Sequence, residues 1–426
     1  MPVTGYPNVT SVVPGETINF FLSTDAPGPT NLSVLRLSSL AAPPSAVFTA
    51  NLTTQPLPAR AWEGFQWTSA ADTSFVVPLT WPSGLYVLKA GGDNVLSFVV
   101  RQPTPGSTSK VLLHIDFLTL SAYNPSGGKS LYGFNSGSGT EADRATTVSL
   151  LRDWANSDYG PPGTAKAGHG RRLIEWLESE GIPAEYCSSV DLHANAQLLT
   201  HYECLVVGGC GHDEYWTRAM RENVERFVNN GGNLIVLSGN TCYRAARLEA
   251  GNTHVVFYKY PAADPNAKNE DATVAWADPP LNRPPNTLFG AGWTNGAFSG
   301  ANTAYMLRFP SHWAFAGVSP TQTSAFMSYE TDAAAYVEEP EGYPRVTGED
   351  GSPLAYTVLA SADLRAWGGK PAHSTRRSIV HCNEPELALD AVPCRGRNRM
   401  APNWPREQRQ GHGRFERHGL LRHIGQ

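Results

Sequence analysis

The sequence predicts an α/β fold with a mostly parallel sheet, preceded by an immunoglobulin-like β-sandwich. Three observations carry this. Residues 1–104 hold short apolar runs at regular intervals, separated by Gly and Pro turn signals and without helical periodicity. Gln102-Pro-Thr-Pro-Gly-Ser-Thr-Ser109 reads as a linker. From Lys110 the pattern turns to strand, loop and helix in alternation, which implies parallel strands covered by helices on both faces.

Within the sandwich, Ile18, Phe20 and Leu22 alternate on one face of the first clear strand. Val34–Leu37, Ser74–Val77, Leu85–Leu88 and Val95–Val100 follow, with Pro14-Gly15, Pro27-Gly28, Pro82-Ser-Gly84 and Gly91-Gly-Asp-Asn94 as punctuation. In the second part, Val111–Leu118 reads as a buried strand and Gly170–Glu180 as a short amphipathic helix. Pro183–Cys187 is strand-like, and Cys204–Val207 is a second buried strand. Met220, Val224, Phe227 and Val228 lie at helical spacing, Asn230-Gly-Gly232 stops that helix, and Asn233–Ser238 is the next strand. Residues 251–372 are aromatic and Pro-rich and read as loops and extra strands decorating the core. The expected domains are therefore 1–104 and 110–373, followed by an atypical stretch at 374–426.

That last stretch carries ten arginines and no lysine, with little apolar periodicity. A basic nucleic-acid-binding tail is one reading. A non-native, frame-shifted or disordered C-terminus is the other, and it is favoured because the composition changes abruptly at His373.

Bulk composition excludes several classes. The 426 residues are 41% hydrophobic and 17% charged, as in an ordinary globular chain. A net charge of −5 gives no reason to expect nucleic acid. No apolar run approaches the roughly 20 residues of a membrane span. The N-terminal Met-Pro-Val-Thr-Gly-Tyr-Pro has neither a basic nor an apolar leader region, and six scattered cysteines form no CxxC pair. A reducing, cytoplasmic location is expected.

Two segments carry the chemistry. Ser121-Ala-Tyr-Asn-Pro-Ser-Gly-Gly-Lys-Ser-Leu-Tyr132 and Gly208-Gly-Cys-Gly-His-Asp-Glu-Tyr-Trp216 each follow a buried strand, where α/β proteins open their ligand crevice. Two phenols, a histidine and a carboxylate delivered there could hold a hard metal ion, while half-buried aromatics steadying a Gly-rich loop are the plain alternative. His212 and Glu214 lie two residues apart, so an extended backbone points them the same way. Asp213 or Glu214 could instead cap the following helix.

Together these segments resemble the large (β) subunit of N,N-dimethylformamidase and its relatives over about residues 5–370. Tyr123–Tyr132 is similar to the family's tyrosine-bearing loop and His212-Asp-Glu-Tyr-Trp216 to its His-x-Glu-Tyr segment. Leu237-Ser-Gly-Asn-Thr-Cys-Tyr243 is similar to its Gly-Asn-x-x-Tyr turn, and Tyr329-Glu-Thr-Asp332 to a later Glu-x-Asp element. The resemblance implies hydrolysis of a small amide on a class I amidotransferase-like domain, at a mononuclear non-haem Fe(III). It implies Tyr123, Tyr132 and Glu214 as metal ligands and His212, Asn240 and Glu330 as catalytic groups. It also implies a small partner subunit, and a homo-oligomer is an open expectation. Two phenolates and a carboxylate form an oxygen-only set that suits Fe(III) better than Zn(II).

Other readings remain. Glu330 follows a strand-like segment, Ala325–Tyr329, and serves either as a general base or in a surface ion pair. Asn240 orients a carbonyl or simply tolerates an unusual turn backbone. Cys210 and Cys242 follow strands and invite comparison with thiol amidases, but read better as small buried residues. A cysteine-dependent amidohydrolase and a non-catalytic carbohydrate- or ligand-binding protein are the alternative functions.

Overall fold

The computed structural model describes residues 3–154, 169–209, 211–304, 306–315, 327–339, 344–363 and 376–378. They divide into two compact units. The first comprises residues up to 238 with 244–275 and 279–281; the second comprises 239–243, 276–278 and the described residues from 282 onward.

The first unit begins with the sandwich. One sheet holds β1 (Val3–Pro7), β3 (Thr17–Thr24) and β6 (Ser74–Val76) in the order β1-β3-β6. The other holds β2 (Ser11–Val12), β4 (Gly28–Arg36), β5 (Ser45–Leu52), β7 (Gly84–Ala90) and β8 (Asp93–Val100) in the order β2-β8-β7-β4-β5. The alternation of β3 buries Ile18, Phe20 and Leu22 against Leu32, Val34, Tyr86, Leu88, Leu96 and Phe98. Non-directional apolar burial of this kind holds two sheets face to face.

Beyond the linker, β9 (Val111–Ile115), β11 (Glu185–Ser188), β12 (Cys204–Val207) and β14 (Asn233–Val236) form a wholly parallel sheet, ordered β11-β9-β12-β14. Leu112, Leu113 and Ile115 are fully buried, as parallel strands covered on both faces must be. The intervening helices are α1 (Phe117–Tyr123), α2 (His169–Ser179), α3 (Ser189–Ala194) and α4 (Arg218–Asn229). The α4 helix buries Met220, Val224 and Phe227 and is capped by Thr217, whose Oγ1 accepts from the Met220 N–H at 3.2 Å. The linker is tied down by one buried carboxylate: Glu185 accepts from Gly106 N, Thr108 N and Oγ1, Ser109 N and the Tyr202 hydroxyl. The sandwich also meets α2 through the Arg36–Glu178 ion pair, and the parallel sheet through Tyr186 N donating to Ser83 Oγ at 2.9 Å.

The fold class departs from the expected mostly parallel, amidotransferase-like α/β architecture. Strands predominate, and outside those four they form mixed and antiparallel sheets. In the first unit β10 (Thr147–Ser149), β13 (Tyr215–Thr217), β15 (Arg244–Glu249) and β16 (His254–Val256) make a sheet whose only parallel pair is β13 with β15. In the second unit every described pair is antiparallel: β17 (Gly292–Ala304) with β19 (Met327–Ala333), β20 (Tyr336–Glu338) with β21 (Pro344–Val346), and β18 (Met306–Leu307) with β22 (Ala360–Asp363), which also pairs with β23 (Arg376–Ser378). The reason is the supply of crossovers. A parallel pair needs a long return connection, usually a helix, and beyond β14 the longest described helix is Asn286–Phe289, a single turn.

Candidate functional site

Asp116 sets the direction of the first tyrosine. Placed at the end of β9, its carboxylate accepts from Leu118 N at 2.8 Å and Thr119 N at 3.2 Å, capping α1, whose last residue is Tyr123. The chain then makes a closed loop. Leu131 N donates to Ala122 O at 2.9 Å across its neck, and Asn135 Nδ2 to Tyr123 O at 2.9 Å. Gly127, at φ +85°, is required there: a Cβ would sit 2.5 Å from the Ala61 and Trp62 backbone. Tyr132 re-emerges beside Tyr123, with ring centroids 4.3 Å apart and planes inclined by 33°.

Glu214 arrives from the other segment. Thr119 Oγ1 accepts from both Glu214 N (2.8 Å) and Tyr215 N (3.0 Å), locking the post-strand loop onto α1. The buried carboxylate then receives both phenols. Tyr123 Oη donates to Oε2 at 2.8 Å, and Tyr132 Oη lies 2.7 Å from Oε1 and 2.8 Å from Oε2. Arg244 Nε stands 3.5 Å from Oε1, its guanidinium 5.4 Å from the Phe257 ring centre. Burial, and then the Glu214 charge, push both phenol pKa values well above the ordinary tyrosine range, so both are neutral donors in this arrangement.

The remaining predicted residues divide. The His212 ring meets Tyr123 edge-on at 6.3 Å, so His212 joins the same cluster. Asn240 belongs to the second unit, where it adopts a left-handed φ of 55° and its N–H donates to Asp332 Oδ1 at 3.1 Å. Glu330 lies on β19, opposite Phe298, and its side chain falls outside the description. Cys242 is fully buried, a poor setting for a nucleophile, and Cys210 lies outside the described residues.

Beneath this cluster lies a second one that sequence reasoning missed. His114, Asp116 and Asp213 each bring a ligand atom within 4.8 Å of the others and, being buried, could hold a metal ion. His114 Nδ1 is 2.9 Å from Asp213 Oδ2, and its Nε2 is 3.1 Å from Ser189 Oγ, which donates to Asp116 at 2.9 Å. Trp216 Nε1 donates to Asp213 Oδ1 at 2.7 Å. Burial opposes a charge on His114, but Asp213 outweighs it and raises the imidazole pKa; Asp116 is pushed up to about 7 by burial and by Asp213. A signal was present in the sequence: a histidine and an aspartate two apart, on one face of an otherwise apolar strand. Arg244 offered none, since only the fold brings it to Glu214.

Residues 40–387 match the family described as N,N-dimethylformamidase beta subunit-like, C-terminal. This points to a dimethylformamidase-like hydrolase. The chain belongs to that family. The match begins inside the sandwich and continues past His373, so the family pattern does not break off where the arginine-rich composition begins. Of that last stretch, Arg376–Ser378 pairs with Ala360–Asp363 as β23, and residues 379–426 lie outside the description. No curated protein matches the chain. Among the described residues no helix is long and apolar enough to cross a membrane.

Proposed function

We propose that the chain is an iron-dependent amidohydrolase that cleaves the C–N bond of a small amide, with Tyr123, Tyr132 and Glu214 as the ligands of one Fe(III). The observation that carries this reading is the convergence of two phenols on one buried carboxylate, with hydroxyl-to-carboxylate distances of 2.7–2.8 Å. Three hard oxygen donors already in mutual contact need little rearrangement to face one ion. Loss of both phenol protons would turn the set into a trianion suited to a hard trivalent cation. Iron, when bound, would supply a Lewis acid that polarises a carbonyl and acidifies water.

The chain's own groups supply the rest. Arg244 holds Glu214 in place by charge, and Thr119 fixes the backbone beneath it. His212, beside Tyr123, is suited to donate to the oxyanion that develops as water adds to the carbonyl carbon. A proton from the attacking water passes to the departing nitrogen, and the C–N bond breaks to give a carboxylic acid and an amine. A small partner subunit, a homo-oligomer and a cytoplasmic setting complete the proposal.

Elemental analysis and a visible spectrum of protein from iron-replete cells test it. About one iron per chain and a phenolate-to-iron charge-transfer band are expected. Tyr123→Phe should shift or bleach the band with the fold intact, since it removes one oxygen and little volume. A colourless protein without iron overturns the reading.

A further inference from the structure

We propose that Arg152 is a positioning residue, which shapes the loop between Tyr123 and Tyr132 so that both phenols reach Glu214; the role in metal binding rests on the iron reading above. Arg152 follows β10 and is 1% exposed, among the most deeply buried cations of the described residues. Its guanidinium lies inside the loop and spends its donors on backbone. Nε donates to Ser149 O at 2.8 Å. Nη1 reaches the carbonyls of Asn124 (3.0 Å), Ser126 (2.9 Å) and Lys129 (3.1 Å). Nη2 reaches Ser121 O at 2.8 Å and Ser121 Oγ at 3.3 Å.

Three of those carbonyls, of Asn124, Ser126 and Lys129, belong to the stretch that leaves α1 at Tyr123 and returns to Tyr132, and that of Ser121 lies in the last turn of α1. The neighbouring Asp153 completes the cage: its Oδ1 accepts from Ser126 Oγ and its carbonyl from Asn124 Nδ2, both at 2.8 Å. A segment of irregular backbone can be buried only if its carbonyls find donors, at a cost of about 1–3 kcal/mol for each that does not. One guanidinium meets that need because its five N–H groups project in a rigid planar fork. A lysine carries three donors on one point and cannot span the same carbonyls. These bonds run to backbone rather than to the phenols or Glu214, so Arg152 acts on the ligands through loop geometry. Partners of this kind, one step removed from the ligands, typically set metal affinity by about 10–100-fold.

The test compares Arg152→Lys, Arg152→Met and the control Arg247→Lys in the full chain. Arg247 binds Asp264 at 3.0 Å in the same unit, away from the loop. Amide hydrogen exchange of residues 121–132 is measured on metal-free protein, and Fe(III) affinity and the visible band on loaded protein. Exchange in 121–132 should rise at least about tenfold in Arg152→Lys and stay unchanged in the control, with iron bound about 10–100-fold more weakly and the band shifted. Should Arg152→Met fail to fold, Arg152→Lys, which keeps the charge, decides. Unchanged exchange across 121–132 overturns the inference whatever the iron result. Raised exchange with wild-type affinity and band overturns the role in metal binding. If the wild-type chain takes up no Fe(III), the iron reading falls and the exchange measurement alone judges the loop assignment.

Discussion

Asp213 and Glu214 are consecutive, both buried, and serve opposite kinds of site. Asp213 turns inward, where its oxygens take the Trp216 indole N–H and the His114 imidazole. Glu214 turns the other way, to two phenols and Arg244. The difference lies in what the donors can become. The Trp216 indole N–H, only ever a donor, takes Asp213 Oδ1 and leaves Oδ2 to face His114. A phenol can give up its proton and turn into a ligand itself. Two consecutive carboxylates are thus divided between a buried cluster with His114 and Asp116 that could hold a metal ion and a pair of phenols with which Glu214 is proposed to bind iron.

The largest effect should come from Glu214, the carboxylate proposed to bind iron. Glu214→Gln removes the charge that gathers both phenols, and iron affinity should fall by more than the roughly 100-fold typical of groups one step removed from a metal. Its folding stability should change far less. Titration with Fe(III) followed in the visible checks this, and retained affinity would mean that Glu214 is no ligand.

The neighbouring change should invert that pattern. Asp213→Asn breaks a buried pair with His114 and should cost about 3 kcal/mol or more of stability, read as a shift in urea midpoint. Iron per chain should remain near the wild-type value in the surviving folded protein. Loss of iron at unchanged stability would reverse the roles assigned to the two carboxylates.

A smaller effect separates the clusters by pH. The folded pKa values of His114 and Asp116 are raised, Asp116 to about 7. Their protonation therefore favours the native state: that contribution is full below the unfolded values and is lost as pH rises through the folded ones. The stability gap between the wild-type chain and His114→Gln should narrow as pH rises from about 6 to 9, the unfolded histidine value being about 6.5. Denaturant titrations across that range give the answer, and a widening gap would contradict the sign.

The smallest change concerns the rim. Phe134 is 65% exposed and stands 5.3 Å from the Tyr132 ring and 6.3 Å from Tyr123. Phe134→Ala should leave the thermal midpoint alone and raise KM for an N-alkyl amide about 3–10-fold, the scale of one modest apolar contact. An unchanged KM would remove Phe134 from the substrate path.

What could be read from the sequence was whatever is written locally. The alternation of Ile18, Phe20 and Leu22 marked a sandwich strand, and the apolar runs at Val111 and Cys204 marked buried strands. The helical spacing of Met220, Val224 and Phe227 likewise marked α4. Tyr123, Tyr132, His212 and Glu214 could be singled out because phenols, an imidazole and a carboxylate at strand ends are chemically conspicuous. Four strands suggest a mostly parallel fold that the remaining strands do not share. Pairing direction is not encoded in a strand's own residues but in the length and helicity of its connections. The convergence at Glu214 joins residues 82 and 91 positions apart, which no window of sequence contains. Arg152 was least legible of all, because its partners are backbone carbonyls, which every residue possesses, and only the folded path of α1 and the loop after it turns those of Ser121, Asn124, Ser126 and Lys129 toward one guanidinium.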